Sequence, residues 1–476
     1  MKIVKPLIVK PILVYYIHER REKVSWRQWG GIQTMEDVRE EEKRIKRELE
    51  ELKEKADFKL DILPLSSVQY PEELEGVEGD IEKADVLLIY PASGALAHVA
   101  GTYVPLGKIL LDMLVSYGKY VVFFLRHRSG PLYLWYEIIH PRFLRRETDV
   151  YLQPVGVEDV VVDSYDEVLW RLRALFGLKN TIGRRIVAIG GAAGWDVGGP
   201  GRVYGPYLAK RLWRLDIVTV SYEELGRRIK EARERSDYLR EAERLAKEYL
   251  SEEGVELETD RKFVVNSFLL YLLFKDLLEE HEADALTVYN CMTTIIPMAE
   301  TTACLALSLL NDEGYIAFCE SDFVAIPAGI LLHAISGKPV FLNDPTFPHD
   351  GIVTVAHCTC PRMMDGKNRE PVVITTHFES DYGAAPRVLF RKGQKVTVID
   401  PNFSGKVWVG FKGTIVDTPF LPICRSQAEV RIEGNWRLLL EEMRGFHWIL
   451  AYGDYLKEVG YALKKVGIKW LNVSES

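Results

Sequence analysis

Between Ile8 and Tyr289, short apolar runs alternate with stretches of helical periodicity, and this alternation constrains the fold more than any other feature of the chain. The runs Asp85 to Tyr90, Tyr120 to Leu125, Arg185 to Ile189, Asp216 to Val220 and Ala283 to Tyr289 are apolar almost throughout. Strands of that kind are buried on both faces, which occurs in a parallel sheet covered by helices. The intervening helices are legible too. Thr34 is suited to cap a helix over Glu36 to Ala56, in which Val38, Ile45, Leu49 and Leu52 keep helical spacing and the charged residues form a solvated face. Further helices are expected over Val104 to Tyr117, over Tyr222 to Leu250 as one long charged helix, and over Lys262 to His281.

After about Glu370 the pattern changes. Arg387 to Phe390, Lys395 to Ile399, Val407 to Phe411 and Gly413 to Val416 read as short strands separated by Gly or Pro turns, which points to an antiparallel sheet or barrel. A closing strand to Tyr452 and a helix over Asp454 to Val466 follow. The expected architecture is therefore α/β: an amino-terminal α/β domain (1–177), a central α/β domain (178–365) and a β-rich carboxyl-terminal domain with a terminal helix (366–476).

Composition narrows the function. With 61 basic and 69 acidic residues the chain carries a net charge of −8, which argues against nucleic acid as a partner and suits a small-molecule substrate. The opening MKIVKPLIVKPILVYY is broken by lysines and prolines and reads as a strand. Phe263 to Leu278 is too short and polar to span a bilayer, so no membrane partner and a cytoplasmic location are expected. The six cysteines (Cys291, Cys304, Cys319, Cys358, Cys360, Cys424) crowd into one end without a CxxC pair and read as free, buried thiols. His357, Cys358 and Cys360 are too closely spaced for a structural zinc site.

The candidate chemistry lies between Asn290 and Pro361 and again at Gly445 to Asp454. In YIAFCESDFVAIPAGILL, Glu320 and Asp322 follow an apolar strand directly, at the end of a parallel sheet where ligands bind. Two acids there either serve a metal or, in the simpler case, Asp322 caps the helix that contains Pro327. Glu300 opens the expected helix Thr301 to Leu310 after the loop TTIIPMAE, where it could merely complement the helix dipole. His349 and His357 fall near strand ends, and His447 interrupts the apolar run GFHWILAYGD. Carboxylates joined by imidazole suit Mn²⁺, Co²⁺ or Mg²⁺. The loop GGAAGWDVGGPG (Gly190 to Gly201) does not fit GxGxxG, which weakens a dinucleotide reading and leaves a ligand-facing or plain connecting loop. In RHRSGPLYLWYEI, residues Arg126, His127 and Arg128 either contact a sugar or belong to a surface loop.

Several of these strings, SLLNDEGYIAFCESDFVAIPAGILLHAISGKPVFLNDP, HCTCP, THFESDYGAAPRVLFRKGQKVTV and GFHWILAYGDYLKEVGYAL, resemble the carboxyl-terminal part of the L-fucose isomerase and L-arabinose isomerase superfamily, most closely its fucose isomerase-like branch. The resemblance spans roughly Ala285 to Gly467 and is architectural before that. It implies two Rossmann-like parallel α/β domains followed by a barrel-like carboxyl-terminal domain, Mn²⁺ as cofactor, and a homo-oligomer, trimer or hexamer. The implied activity is that of an intramolecular oxidoreductase interconverting an aldose and a ketose, with a deoxy sugar or pentose as substrate. Carried onto this chain, the metal-binding residues are Glu300, Asp322 and His447, with Glu300 and Asp322 also catalytic. His357, Glu320 and Trp448 would lie on the substrate side or behind the ligands, Glu320 being the substitute if the acid assignment slips by two positions.

The implied chemistry removes a proton α to a carbonyl and passes through an ene-diolate, which a divalent ion stabilises as a Lewis acid while a carboxylate carries the proton. This chain is shorter than typical L-fucose isomerases, and the shortage falls in the amino-terminal half, which leaves the identity of the sugar open. A sugar-binding or regulatory protein of the same fold without isomerase activity is the alternative.

Overall fold

Twenty-two strands and the helices between them account for most of the described chain; the structure, a computed structural model, describes residues 2–475 apart from 28, 95, 100–101, 134–138, 140–154 and 196–200. The chain divides into two compact units, Lys5–Phe176, and Gly177–Ser476 together with Met1–Val4.

The Lys5–Phe176 unit contains a parallel sheet in the order Leu60–Ile62, Leu7–Val14, Val86–Pro91, Tyr120–Leu125, Val160–Val162, with the short strand Ser66–Val68 also paired to Leu7–Val14. Helix Met35–Lys55 begins at Thr34 as expected. The Thr34 side chain accepts from the Asp37 N–H, and the Asp37 carboxylate accepts from the Thr34 N–H at 2.7 Å, a reciprocal cap that satisfies donors the helix leaves free. Its buried stripe includes Val38, Ile45, Leu49 and Leu52. Arg126 is buried at the end of strand Tyr120–Leu125 and pairs with Glu41 and Glu48, so it serves this unit's core. The backbone N–H groups of His127 and Arg128 donate to the Asp163 carboxylate. The later part of that motif lies outside the described residues.

The second unit joins a parallel sheet to a barrel. The sheet runs in the order Asp216–Val220, Arg185–Ile189, Ala285–Val288, Ile316–Phe318, so the order reverses between its second and third strands. The expected helix over Tyr222 to Leu250 is two helices, Tyr222–Glu234 and Ser236–Leu250, because Arg235 adopts extended backbone (φ −92°, ψ 109°). The break re-aims the second stripe, Ala242, Ala246 and Tyr249, so that both stripes pack on helix Arg261–Glu280. The barrel closes through six antiparallel strands: Lys395–Asp400, Trp448–Tyr452, Phe341–Pro345, Ile352–His357, Ser426–Glu433 and Val407–Asp417, the last pairing back to the first. Lys469–Asn472 adds a parallel strand outside this ring.

Two barrel strands therefore come from upstream of residue 366, where the β-rich domain was expected to begin. Without them the ring could not close and its edges would stay unpaired. The expected pair of strands around Gly413 is a single strand, Val407–Asp417. Gly413 marks close packing: a Cβ there would lie 2.5 Å from Val430 Cγ1 on the neighbouring strand.

One hydrophobic core runs through this unit, including Val187 and Leu286 of the sheet, Phe274 of the helix layer, and Phe341, Phe411 and Trp448 of the barrel. Each such side chain contributes about 1.5–3 kcal/mol on burial, and their continuity ties the barrel to the sheet. All six cysteines are free, and the thiols of Cys291 and Cys319 lie 3.7 Å apart in this core. No single helix among the described residues is long and apolar enough to cross a membrane.

Candidate metal centre at the sheet and barrel junction

Strand Ile316–Phe318 ends at Cys319, and the chain then passes through Glu320 and Ser321 with φ of 66° and 46°. Left-handed backbone at two successive residues with side chains costs of order 1–3 kcal/mol each and persists only where the surroundings enforce it. Here the Ser321 N–H donates to Thr287 Oγ1 at 3.1 Å, and Asp322 forms a backbone bridge with Ala193. The turn holds Glu320 at the carboxyl end of the parallel sheet. Three neighbouring barrel strands supply the rest. Asp344 lies in Phe341–Pro345, His357 ends Ile352–His357, and His447 immediately precedes Trp448–Tyr452. Because Asp344 registers with Ala356 and Asn343 with Trp448, Asp344 lies between the two histidines.

Their polar atoms converge. His447 Nε2 is 3.5 Å from Glu320 Oε2 and 3.3 Å from Asp344 Oδ1, and His357 Nε2 is 3.7 Å from Glu320 Oε1. Both Nε2 atoms and Asp344 Oδ1 are sealed from solvent, yet none makes a hydrogen bond. An unsatisfied buried polar atom costs about 1–3 kcal/mol, so three in one spot call for an explanation. A cation held there would supply it. The donor atoms of Glu320, His357 and His447 lie within 4.8 Å of one another. Nitrogen and oxygen ligands at about 2.0–2.2 Å from one ion stand no more than about 4.4 Å apart, so a contraction of a few tenths of an ångström would seat one. Two imidazoles with one or two carboxylates suit a divalent first-row ion.

The outward nitrogens are fixed as in metal sites. His447 Nδ1–H donates to Asp322 Oδ2 at 2.8 Å, and His357 Nδ1 lies 2.9 Å from Thr359 Oγ1. Asp322 is fully buried, and its Oδ1 accepts from the backbone N–H groups of Trp195 and Val324, both at 3.0 Å. Burial opposes charge on every member, but pairing wins for three. His447 is pushed up to about 10 despite burial, because Asp322 and Glu320 favour its charged form. Burial would raise Glu320, yet His357 and His447 hold it well below the usual carboxylate range. Burial would lower His357, which Glu320 nevertheless raises. Asp344 is raised, by burial first, and so more readily takes a proton.

The expected site residues divide accordingly. His447, His357 and Glu320 meet at the centre. Asp322 stands behind His447. It does not cap helix Ile326–Ser336, whose N-cap is Ala325. Glu300 is not brought to the centre. It ends helix Cys291–Ala299, a helix where an irregular loop was expected, in left-handed backbone with φ of 51°. Its side chain is 57% exposed and pairs with Arg233 at 2.9 Å. Trp448 is buried in the barrel core, ring to ring with Phe411 at 5.9 Å, because alternation along the strand turns it away from the face of His447. His349 is exposed, with Nδ1 3.1 Å from the Phe347 carbonyl. Sequence reading missed Asp344, Thr359 and Trp195. The one available hint was Asp344, an acid just after the apolar run Val340 to Leu342. In the Gly190 to Gly201 loop, Gly194 packs so tightly that a Cβ would lie 2.2 Å from the Gly201 carbonyl oxygen, while residues 196–200 of that loop lie outside the described residues.

Removing the support behind His447 tests the arrangement. Asp322→Asn leaves the imidazole without its charged partner, and loss of such a partner typically costs 10–100-fold in metal affinity. Isothermal titration with Mn²⁺ should show a loss in that range, and an unchanged affinity would refute the role given to Asp322. No protein-family model matches the chain, and no curated protein matches it.

Proposed function

We propose that this chain is a metal-dependent aldose–ketose isomerase acting on a deoxy sugar or pentose, with Mn²⁺ as the preferred ion and Co²⁺ or Mg²⁺ as substitutes. The observation that supports it most is the convergence of Glu320, His357, His447 and Asp344 at the carboxyl end of a parallel sheet, with both histidine Nε2 atoms and Asp344 Oδ1 buried and without a hydrogen bond. The motif resemblance supplies the reaction type. On this reading the two parallel sheets are Rossmann-like domains.

Glu320, His357 and His447 would hold the ion, which when bound supplies Lewis acidity toward the sugar's carbonyl and hydroxyl oxygens. The chain's own groups then divide the remaining work. Glu320 stays ionised because two imidazoles face it. Asp344, whose carboxyl is raised by burial and whose Oδ1 makes no hydrogen bond, is the group suited to take a proton from one carbon and return it to the next. Asp322 and Thr359 keep both imidazoles oriented. Replacing Glu300 by Asp344 in the proton-carrying role is the main change from the expectation drawn from the motifs.

The test is ketose formation from a panel of aldoses, with Mn²⁺ and after EDTA. Turnover of at least one deoxy sugar or pentose that EDTA abolishes and Mn²⁺ restores is expected. No ketose from any sugar, together with no metal in the purified protein, would overturn the proposal. The position of Glu300 favours one other reading, a sugar-binding or regulatory protein, since the centre lacks the second acid that the motifs implied. Asp344→Asn separates the two: an isomerase loses turnover while still binding sugar, and a binder has no turnover to lose.

A further inference from the structure

Beside the candidate metal centre stands an exposed aromatic pair whose ring faces the centre itself does not use. Trp195 is 40% exposed and Phe446 37% exposed, and their rings stack at 5.4 Å and 26°. The indole lies 6.1 Å from the His447 ring at 81°, and Phe446 lies 4.9 Å from it at 80°. A large aromatic left half in solvent loses the benefit of burial unless something covers it.

Trp195 is nonetheless not loose. Its backbone N–H donates to Asp322 Oδ1 at 3.0 Å, and its indole Nε1–H donates to the Glu320 carbonyl at 3.2 Å. Both polar handles are spent on the two residues that shape the centre, so the indole is fixed before any ligand arrives. A ligand that stacks on it loses little to ordering the protein.

We propose that Trp195, backed by Phe446, is the stacking floor of the substrate subsite, and that it receives the C–H face of a sugar or polyol whose oxygens point toward Glu320, His357 and His447. The inference rests on reading the centre as sugar-directed and adds to it the residue that selects which face of the sugar binds. The chemistry of the two halves restricts the occupant. A purely apolar ligand would cover the indole but offer no oxygen to an ion held by Glu320, His357 and His447. A simple anion would reach a loaded centre but leave the indole wet. A polyhydroxylated carbon chain carries apolar C–H groups on one side and oxygens on the other, and it meets both demands. Among stereoisomers, those with successive C–H bonds on one face should bind best.

The experiment uses the full chain loaded with Mn²⁺ and compares wild type, Trp195→Ala and Trp195→Phe by isothermal titration. The probes are Mn²⁺ itself and a panel of pentitols and hexitols, which bind without turnover. Expected are Mn²⁺ affinities within about twofold for all three proteins, polyol affinity about tenfold weaker in Trp195→Ala, and near-wild-type polyol affinity in Trp195→Phe, about 1.4 kcal/mol separating the first two. Equal polyol affinity in wild type and Trp195→Ala would overturn the stacking floor and leave the isomerase reading standing. A loss of Mn²⁺ affinity in Trp195→Ala that accounts for the whole polyol effect would overturn it too, by making the indole a support of the metal centre. No binding of any polyol or aldose to the Mn²⁺-loaded wild type would overturn the sugar reading itself.

Discussion

Glu320→Gln will weaken Mn²⁺ binding by more than about 100-fold, whereas Glu300→Gln will change it by less than about twofold, both read by isothermal titration on the full chain. The contrast follows from position. Among the described residues, Glu320 is the one carboxylate that approaches both imidazoles, at 3.7 and 3.5 Å, and it is held ionised by them. The amide keeps the shape but removes the negative charge, so the ion is left with two neutral imidazoles and Asp344, whose carboxyl burial biases toward the protonated form. Loss of a ligand's charge should exceed the 10–100-fold typical of a residue behind a ligand. Glu300 meets Arg233 at the surface, and exposed pairs of that kind contribute little to stability or to anything distant. If Glu300→Gln abolished binding and Glu320→Gln did not, the centre described above would be wrong and the arrangement implied by the motifs would be right.

The second large effect is on pH dependence. His447 in the metal-free protein is raised to about 10 from an ordinary value near 6.5, through Asp322 and Glu320 and against burial. A folded-state value above the unfolded one means that its stabilisation is fully present below about pH 6.5 and is lost as pH rises toward 10. The melting temperature of the metal-free protein should therefore fall between pH 7 and pH 9. Metal binding works in the opposite sense, because the ion must displace the proton on Nε2. Apparent Mn²⁺ affinity should climb by up to about tenfold per pH unit over that range for one proton released. Titration calorimetry in buffers of different ionisation enthalpy counts that proton directly. A metal affinity flat between pH 7 and pH 9, with no proton released, would contradict His447 as a ligand.

These two effects also show where sequence reading stopped. Glu300 and Glu320 are both acids beside apolar elements, and along the chain nothing separates them. What separates them is a helix end: Glu300 is the left-handed cap of Cys291–Ala299 and leaves the core, while Glu320 sits in a left-handed turn pinned by Thr287 and points inward. Likewise, His447 and Trp448 are adjacent in sequence and opposite in function, since one residue along a strand reverses the face.

The alternation of apolar runs with helical periods is a local property, and it determined the parallel sheets and the Thr34 cap. The β-rich turn pattern after Glu370 likewise announced antiparallel strands. Binary pattern and capping depend on residues within a few positions of one another, so they survive without tertiary information. Barrel closure, by contrast, required Phe341–Pro345 and Ile352–His357 to pair with strands far along the chain. That pairing alone set Asp344 between His357 and His447 and brought the rim to Glu320. The residue types of the centre were thus in the sequence, but their meeting was decided by long-range register and burial, which no short window of residues contains.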